Sequence, residues 1–138
     1  MKSPSDHSRV LLKKASNDLV AARATLATGQ ALDVVCFHAQ QAVEKSLKAI
    51  LAFYDVEYPW RHDLGELLGL VRPLAPEIVV HEEHIFRMTP YAVEVRYDEE
   101  FEPSLGEASW ALQAAEDVYR LSMRHVVGVD QGEGSYGS

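Results

Sequence analysis

The chain has one cysteine, Cys36, among its 138 residues, so no disulfide can form within it and a disulfide-stapled extracellular scaffold is excluded. Cys36 falls in an apolar helical pattern, where a free thiol behaves as a small buried hydrophobe. A reducing, cytoplasmic home is the expectation. No run of about eighteen apolar residues occurs, and Met1 to Ser8 are polar, so a soluble protein with neither membrane span nor secretory signal is expected. Strand signals are nearly absent, the short run Ile78-Val79-Val80 being the exception. Also missing are a Gly-rich phosphate loop, a Cys-pair zinc motif and a nucleophile elbow, and with them the commonest nucleotide-hydrolase, zinc-module and α/β-hydrolase readings.

Positive charge is scarce. The formal net charge is −8, which repels polyanions at long range and argues against general DNA coating. The shortage is uneven: residues 1–72 hold nine Lys and Arg against eight Asp and Glu, whereas residues 73–138 hold four against thirteen. A basic site is therefore sought in the first half. The acidic second half reads as a solvated face or as a surface for a basic protein partner.

What the chain does contain is helical periodicity. Leu12, Ala15, Leu19, Ala22 and Leu26 step by three and four, predicting a helix from about Asp6 to Thr28 that stops at Gly29. A second helix is predicted from about Ala31 to Tyr54, followed by a connection that Pro59 keeps out of helical geometry. Asp63 and Glu66 have capping-box spacing and open a short helix through Leu64, Leu67, Leu68 and Val71, which Pro73 ends. Another helix is predicted from about Pro76 to Met88, limited by Pro90. Ser104 and Glu107 form a second capping-box pair for a last helix that keeps its rhythm to about Val127. The expected fold is all-α, an antiparallel bundle of four to five helices over residues 1–127, with a disordered Gly-rich tail at 128–138. Small residues on the second and last helices permit close approach beyond one bundle, which predicts a homodimer.

The second helix carries two kinds of residue in one period. Val35, Ala39, Ala42, Ser46, Ala49 and Phe53 make a packing face, while His38, Gln41, Lys45 and Lys48, at spacings of three, four and three, line one edge. Two ammonium groups, an amide and an imidazole can meet a phosphate or ribose. The plain alternative is a helix edge in water, helped by Glu44 and Lys48 at the favourable i to i+4 spacing.

This segment, Phe37-His38-Ala39-Gln40-Gln41-Ala42-Val43-Glu44-Lys45-Ser46-Leu47-Lys48-Ala49, is followed by His62-Asp63-Leu64 and, ahead of the last helix, by Arg96-Tyr97. It resembles the signature of the HEPN domains (higher eukaryotes and prokaryotes nucleotide-binding), over roughly residues 8 to 127. The resemblance implies a HEPN-like nucleotide-binding module, the partner of a small nucleotidyltransferase in a two-component, toxin–antitoxin type of system. It places the nucleotide site on His38, Gln41, Lys45 and Lys48, with Arg96 adding a planar fork for phosphate. No cofactor or metal is implied.

Ribonuclease members of the family carry an Arg, four to six residues, then a His. At that distance from Arg96 this chain has Phe101, Glu102 and Pro103. Arg120 and His125 do satisfy the spacing within the last helix and are the candidate catalytic pair of the alternative reading, a metal-independent endoribonuclease. Their ordinary reading is as cations complementing the helix C-terminus. His81-Glu82-Glu83-His84 does not have the i, i+4 histidines of a zinc helix, and Asp98-Glu99-Glu100-Phe101-Glu102 lacks a Gly-containing ligand loop, so neither predicts a metal site. A third reading is a non-catalytic interaction module.

Overall fold

The computed structural model describes residues 3–59 and 63–128, without the side chains of residues 95 and 96. Helix α1 (Pro4–Thr28) begins two residues earlier than the periodicity predicts, because Ser3 and Asp6 form a reciprocal capping box and Pro4 fits the first turn. Gly29, at φ 70°, closes it in the left-handed region. Three residues later α2 (Leu32–Phe53) starts from Ala31, which adopts φ 54° with no side-chain cap. It ends in a Schellman turn: Val56 N–H donates to Leu51 O at 2.8 Å and Asp55 N–H to Ala52 O at 3.0 Å, with Asp55 at φ 59° in the position usually held by glycine.

Helix α3 (Leu64–Val71) opens as expected on Asp63, whose Oδ1 accepts from Glu66 N–H at 3.1 Å. The single helix expected over 76–88 is instead a 3-10 turn, Pro76–His81, leading into α4 (Glu82–Met88). The β-branched run Ile78-Val79-Val80 loses side-chain freedom in an α-helical turn, and the tighter turn buries Ile78 while leaving Val79 and Val80 outside. Pro90 limits α4 but also starts a further helix, α5 (Tyr91–Tyr97), which the periodicity does not predict. Last comes α6 (Leu105–Val126), capped by Ser104.

Helix α2 is the axis of the fold. Of its 22 residues 13 are buried, because α1 and α6 pack along it and α3 and α5 also pack against it. The small residues make this possible: Ala39, Ala42, Ser46 and Ala49 of α2 and Ala108, Ala111, Ala115 and Ser122 of α6 have no exposed surface. Ser122 Oγ donates to the backbone oxygen of Ser46 at 2.8 Å, so the two backbones approach within one hydroxyl. These faces are thus occupied inside one chain, and the close approach from which a homodimer was inferred holds a single protomer together. The described residues form an all-helical bundle without strands, and no described helix is long and apolar enough to cross a membrane. Of the tail expected at 128–138, residues 129–138 lie outside the described residues, as does His62 of the His-Asp-Leu turn.

Candidate functional site

The polar edge of α2 is organised by a residue from another helix. Asp18 stands in the buried stripe of α1 beside Ala15, Leu19 and Ala22 and is only 8% exposed. Its Oδ1 lies 2.8 Å from His38 Nδ1, and its Oδ2 accepts from Lys45 Nζ at 2.6 Å. His38 and Lys45 are seven residues apart, two turns along one face of α2, so one carboxylate spans both turns from the facing helix. A carboxylate accepts, which places the proton of a neutral His38 on Nδ1 and leaves its Nε2 lone pair for an external donor.

One turn further on, Lys48 Nζ donates to Glu44 at 2.8 Å, the intrahelical pair that the spacing predicts. Glu44 is 2% exposed, so this pair is buried rather than a surface ornament. The Lys48 ammonium also lies 5.5 Å from the ring centre of Tyr58, a cation–π contact. Gln41 donates to Gln40 Oε1 at 2.7 Å, and Gln40 Nε2 is fully buried with no hydrogen-bond partner among the described residues. The edge is therefore not a row of unpaired cations: both lysines already hold carboxylates.

The edge ends at a hollow. Between the first turns of α1 and the segment after α2 lies a cavity of about 840 Å³, whose walls include His7, Leu11, Lys48, Asp55, Glu57 and Tyr58. Lys48 belongs to both edge and hollow; His38, Gln41 and Lys45 do not line it. His7 Nε2 is hydrogen-bonded to the Tyr58 hydroxyl at 3.0 Å, which ties the post-α2 segment to α1. Partial burial pushes the Tyr58 phenol up, so its hydroxyl stays protonated.

The other candidates are dispersed. Arg96 sits one residue before the end of α5, and its side chain is outside the described part of the structure. Arg120 and His125 do not share one side of α6. Five residues separate them by about 140° around the axis; the exposed Arg120 pairs with Asp117 at 2.6 Å, while His125 is held between Tyr54 Oη (2.9 Å) and Glu77 Oε2 (2.5 Å). Nε2–H donates to Glu77, and Nδ1 is bonded to the Tyr54 hydroxyl, accepting from it in the neutral ring and donating to it in the charged one, so both nitrogens are engaged within the fold. His84 packs edge-on to Trp110, with ring centres 5.5 Å apart. Asp98, Glu99 and Glu102 line a second, smaller hollow of about 510 Å³ with Asp33, Tyr97 and Phe101.

The HEPN domain family matches residues 8–126. The bundle and its central helix thus define the class, and the chain belongs to the HEPN domain family. No curated protein matches the chain.

Three residues of this site, Asp18, His7 and Tyr58, are absent from the sequence-derived set. Asp18 left a readable trace, a charged residue one step inside an apolar stripe, because burial there requires a partner. His7 and Tyr58 left none: they are 51 residues apart and meet only through the packing of α1 on α2.

Proposed function

We propose that this HEPN chain is a nucleotide-binding module that works beside a small nucleotidyltransferase in a two-component, toxin–antitoxin type of pair. Its site is the α2 edge of His38, Gln41, Lys45 and Lys48, with Arg96 at its margin. The observation that carries this reading is that the edge runs into the 840 Å³ hollow through the shared side chain of Lys48. That volume falls in the range of about 300–1,000 Å³ usual for small-molecule sites. Along the helix axis from the level of Lys48, the Asp18-bound Lys45 stands about 4.5 Å away and the Asp18-bound His38 about 15 Å away. A phosphate arriving there competes with Asp18 for Lys45, so binding is of moderate strength and falls with salt.

Chemical-shift mapping and calorimetry with ATP, GTP and a short RNA test it. Shifts clustered at residues 38–48, weakened about tenfold or more in Lys45→Ala, are expected, since loss of a charged hydrogen bond is worth about 1.5–3 kcal/mol. Absence of heat and of shifts with all three ligands removes the nucleotide reading. Lys48→Ala is the poorer probe, because it takes an ion-pair partner from the buried Glu44. The partner is tested by co-expression with a nucleotidyltransferase encoded beside this chain; separate elution of the two removes that half.

A second reading, a protein-interaction module, is favoured by the smaller hollow. Three carboxylates of its 98–102 segment line it together with Asp33, Tyr97 and Phe101, a setting for a basic side chain. Its signature is a complex that weakens steeply with salt.

A further inference from the structure

We infer that the Lys48–Tyr58 hollow is a seat for an uncharged planar ring carrying amino groups, that is, for guanine, adenine or cytosine in preference to uracil. This deepens the nucleotide-binding reading by assigning the base, rather than the phosphates, to the cavity.

Charge decides first. Among the described residues Lys48 is the one lysine or arginine of the wall, and it is ion-paired with Glu44 at 2.8 Å. The remaining charged side chains of the wall are Asp55 and Glu57, both exposed and without an ion-pair or hydrogen-bond partner among the described residues. A phosphate in this hollow faces two carboxylates and a cation already held. What disfavours phosphate in the hollow, among the described residues, is this pair of unpaired carboxylates, and the nucleotide-binding reading puts phosphate outside it, where it competes with Asp18 for Lys45.

Shape and hydrogen bonding decide the rest. Leu11, Ala52 and Val56 supply apolar wall, and Tyr58 supplies an aromatic ring fixed at both ends of its polarity, by Lys48 near its face and His7 at its hydroxyl. Such a ring is a stacking platform. Around it the hollow offers carboxylate acceptors from Asp55 and Glu57 and one ammonium, whose N–H groups outnumber its bond to Glu44. Carboxylates accept from exocyclic amino groups, as in the pairing of Asp or Glu with cytosine N4. Uracil has no amino group and would turn a carbonyl toward a carboxylate. Guanine fits most fully, with amino and ring N–H donors for the carboxylates and a neighbouring carbonyl for the ammonium.

Nucleosides, which have no phosphate, isolate the base. Titrating the full chain with guanosine, adenosine, cytidine and uridine should shift the amides of His7, Leu11 and residues 55–58, with guanosine at least about tenfold tighter than uridine, the size of one amino–carboxylate discrimination. Tyr58→Leu should weaken guanosine about tenfold, whereas Tyr58→Phe, which keeps the ring, should weaken it less. Glu57→Gln together with Asp55→Asn should narrow the gap between guanosine and uridine. Uridine binding as tightly as guanosine, or affinity indifferent to Tyr58→Leu, overturns the assignment. So does agmatine shifting the same amides more tightly than any nucleoside, which would make the hollow a site for organic cations. Ribose 5-phosphate separates the two levels: shifts at residues 38–48 with no nucleoside response in the hollow would sink the base seat and leave the nucleotide reading standing. Nucleoside binding in the hollow with no response to ATP, GTP or RNA along α2 would do the reverse.

Discussion

The Tyr91 hydroxyl of α5 donates to Glu107 Oε2 of α6 at 2.6 Å, and this bond draws the Glu107 carboxylate away from the helix cap that its spacing predicts. Ser104 Oγ still accepts from Glu107 N–H at 3.0 Å, so half of the capping box survives. The other half has become a tertiary tie between two helices. Burial and the Glu107 carboxylate push the Tyr91 phenol well above its usual value, which keeps the hydroxyl a donor at neutral pH. Tyr91→Phe should lower stability by about 1–2 kcal/mol, less than a full charged hydrogen bond because Glu107 can then reach back to Ser104. An unchanged urea midpoint would refute the tie.

The same locality silences the cysteine. Burial, followed by the charge of Glu107, pushes the Cys36 thiol up to about 12. The thiolate is the reactive form, so at pH 8 a disulfide reagent should leave Cys36 unmodified in the native protein and consume one thiol per chain in denaturant. Rapid reaction of the folded protein would show that α5 opens readily.

Asp18→Ala releases His38 and Lys45 together. Both partners are more than a quarter exposed at their side chains and rehydrate in part, so a loss of about 1–3 kcal/mol is expected, below that of a fully buried pair. A second readout separates positioning from mere stability. Nitrogen chemical shifts of His38 should report the Nδ1-protonated form in the parent protein and its loss in Asp18→Ala; an unaltered tautomer would mean that Asp18 does not orient the ring.

Ala31 begins α2 at φ 54° and ψ 47°, where a Cβ is strained. Ala31→Gly removes the strain at a helix N-cap that tolerates glycine, and should raise stability by about 0.5–1 kcal/mol net of the freer unfolded chain. A lower melting temperature would contradict this.

The contact between Glu77 and His125 has a pH signature. Partial burial pushes the Glu77 carboxyl up, but a backbone N–H, the hydrogen bond and charge of His125, and the charge of Arg124 outweigh it and hold the group below its ordinary 4.5. A depressed carboxyl stabilises the fold fully above its unfolded value and loses that contribution as pH falls through the folded one. Parent and Glu77→Gln should therefore differ at about pH 5, where the Glu77 carboxyl is ionised, and converge as pH falls below about 4.5. Glu77 is half exposed, so the difference is small; a difference that grows on acidification would reverse the sign of the argument.

Helix starts were legible where apolar periodicity and a capping pair coincide, at Asp63 with Glu66 and Ser104 with Glu107, whereas periodicity alone put the start of α1 at Asp6, two residues after Pro4, where the Ser3 cap begins it. Helix α5 was not legible. Its seven residues include Val93 and Val95, which favour extended structure, and it forms because Tyr91 is anchored under α6 rather than by propensity. The 3-10 turn at Pro76–His81 escaped for a related reason, since three consecutive β-branched residues carry no helical period to read.

For the site, local order supplied the polar edge of α2 and its ion pair within the helix, Glu44 with Lys48, because i to i+4 neighbours are dictated by the helix itself, and Gln41 bonds its chain neighbour Gln40. Tertiary packing chose every other partner. Asp18 meets His38 and Lys45, His7 meets Tyr58, and Glu77 meets His125 across 20 to 51 residues of chain. Those pairings depend on how helices cross, which no local spacing encodes. A charge buried at a crossing takes whatever opposite group the neighbouring helix brings within reach.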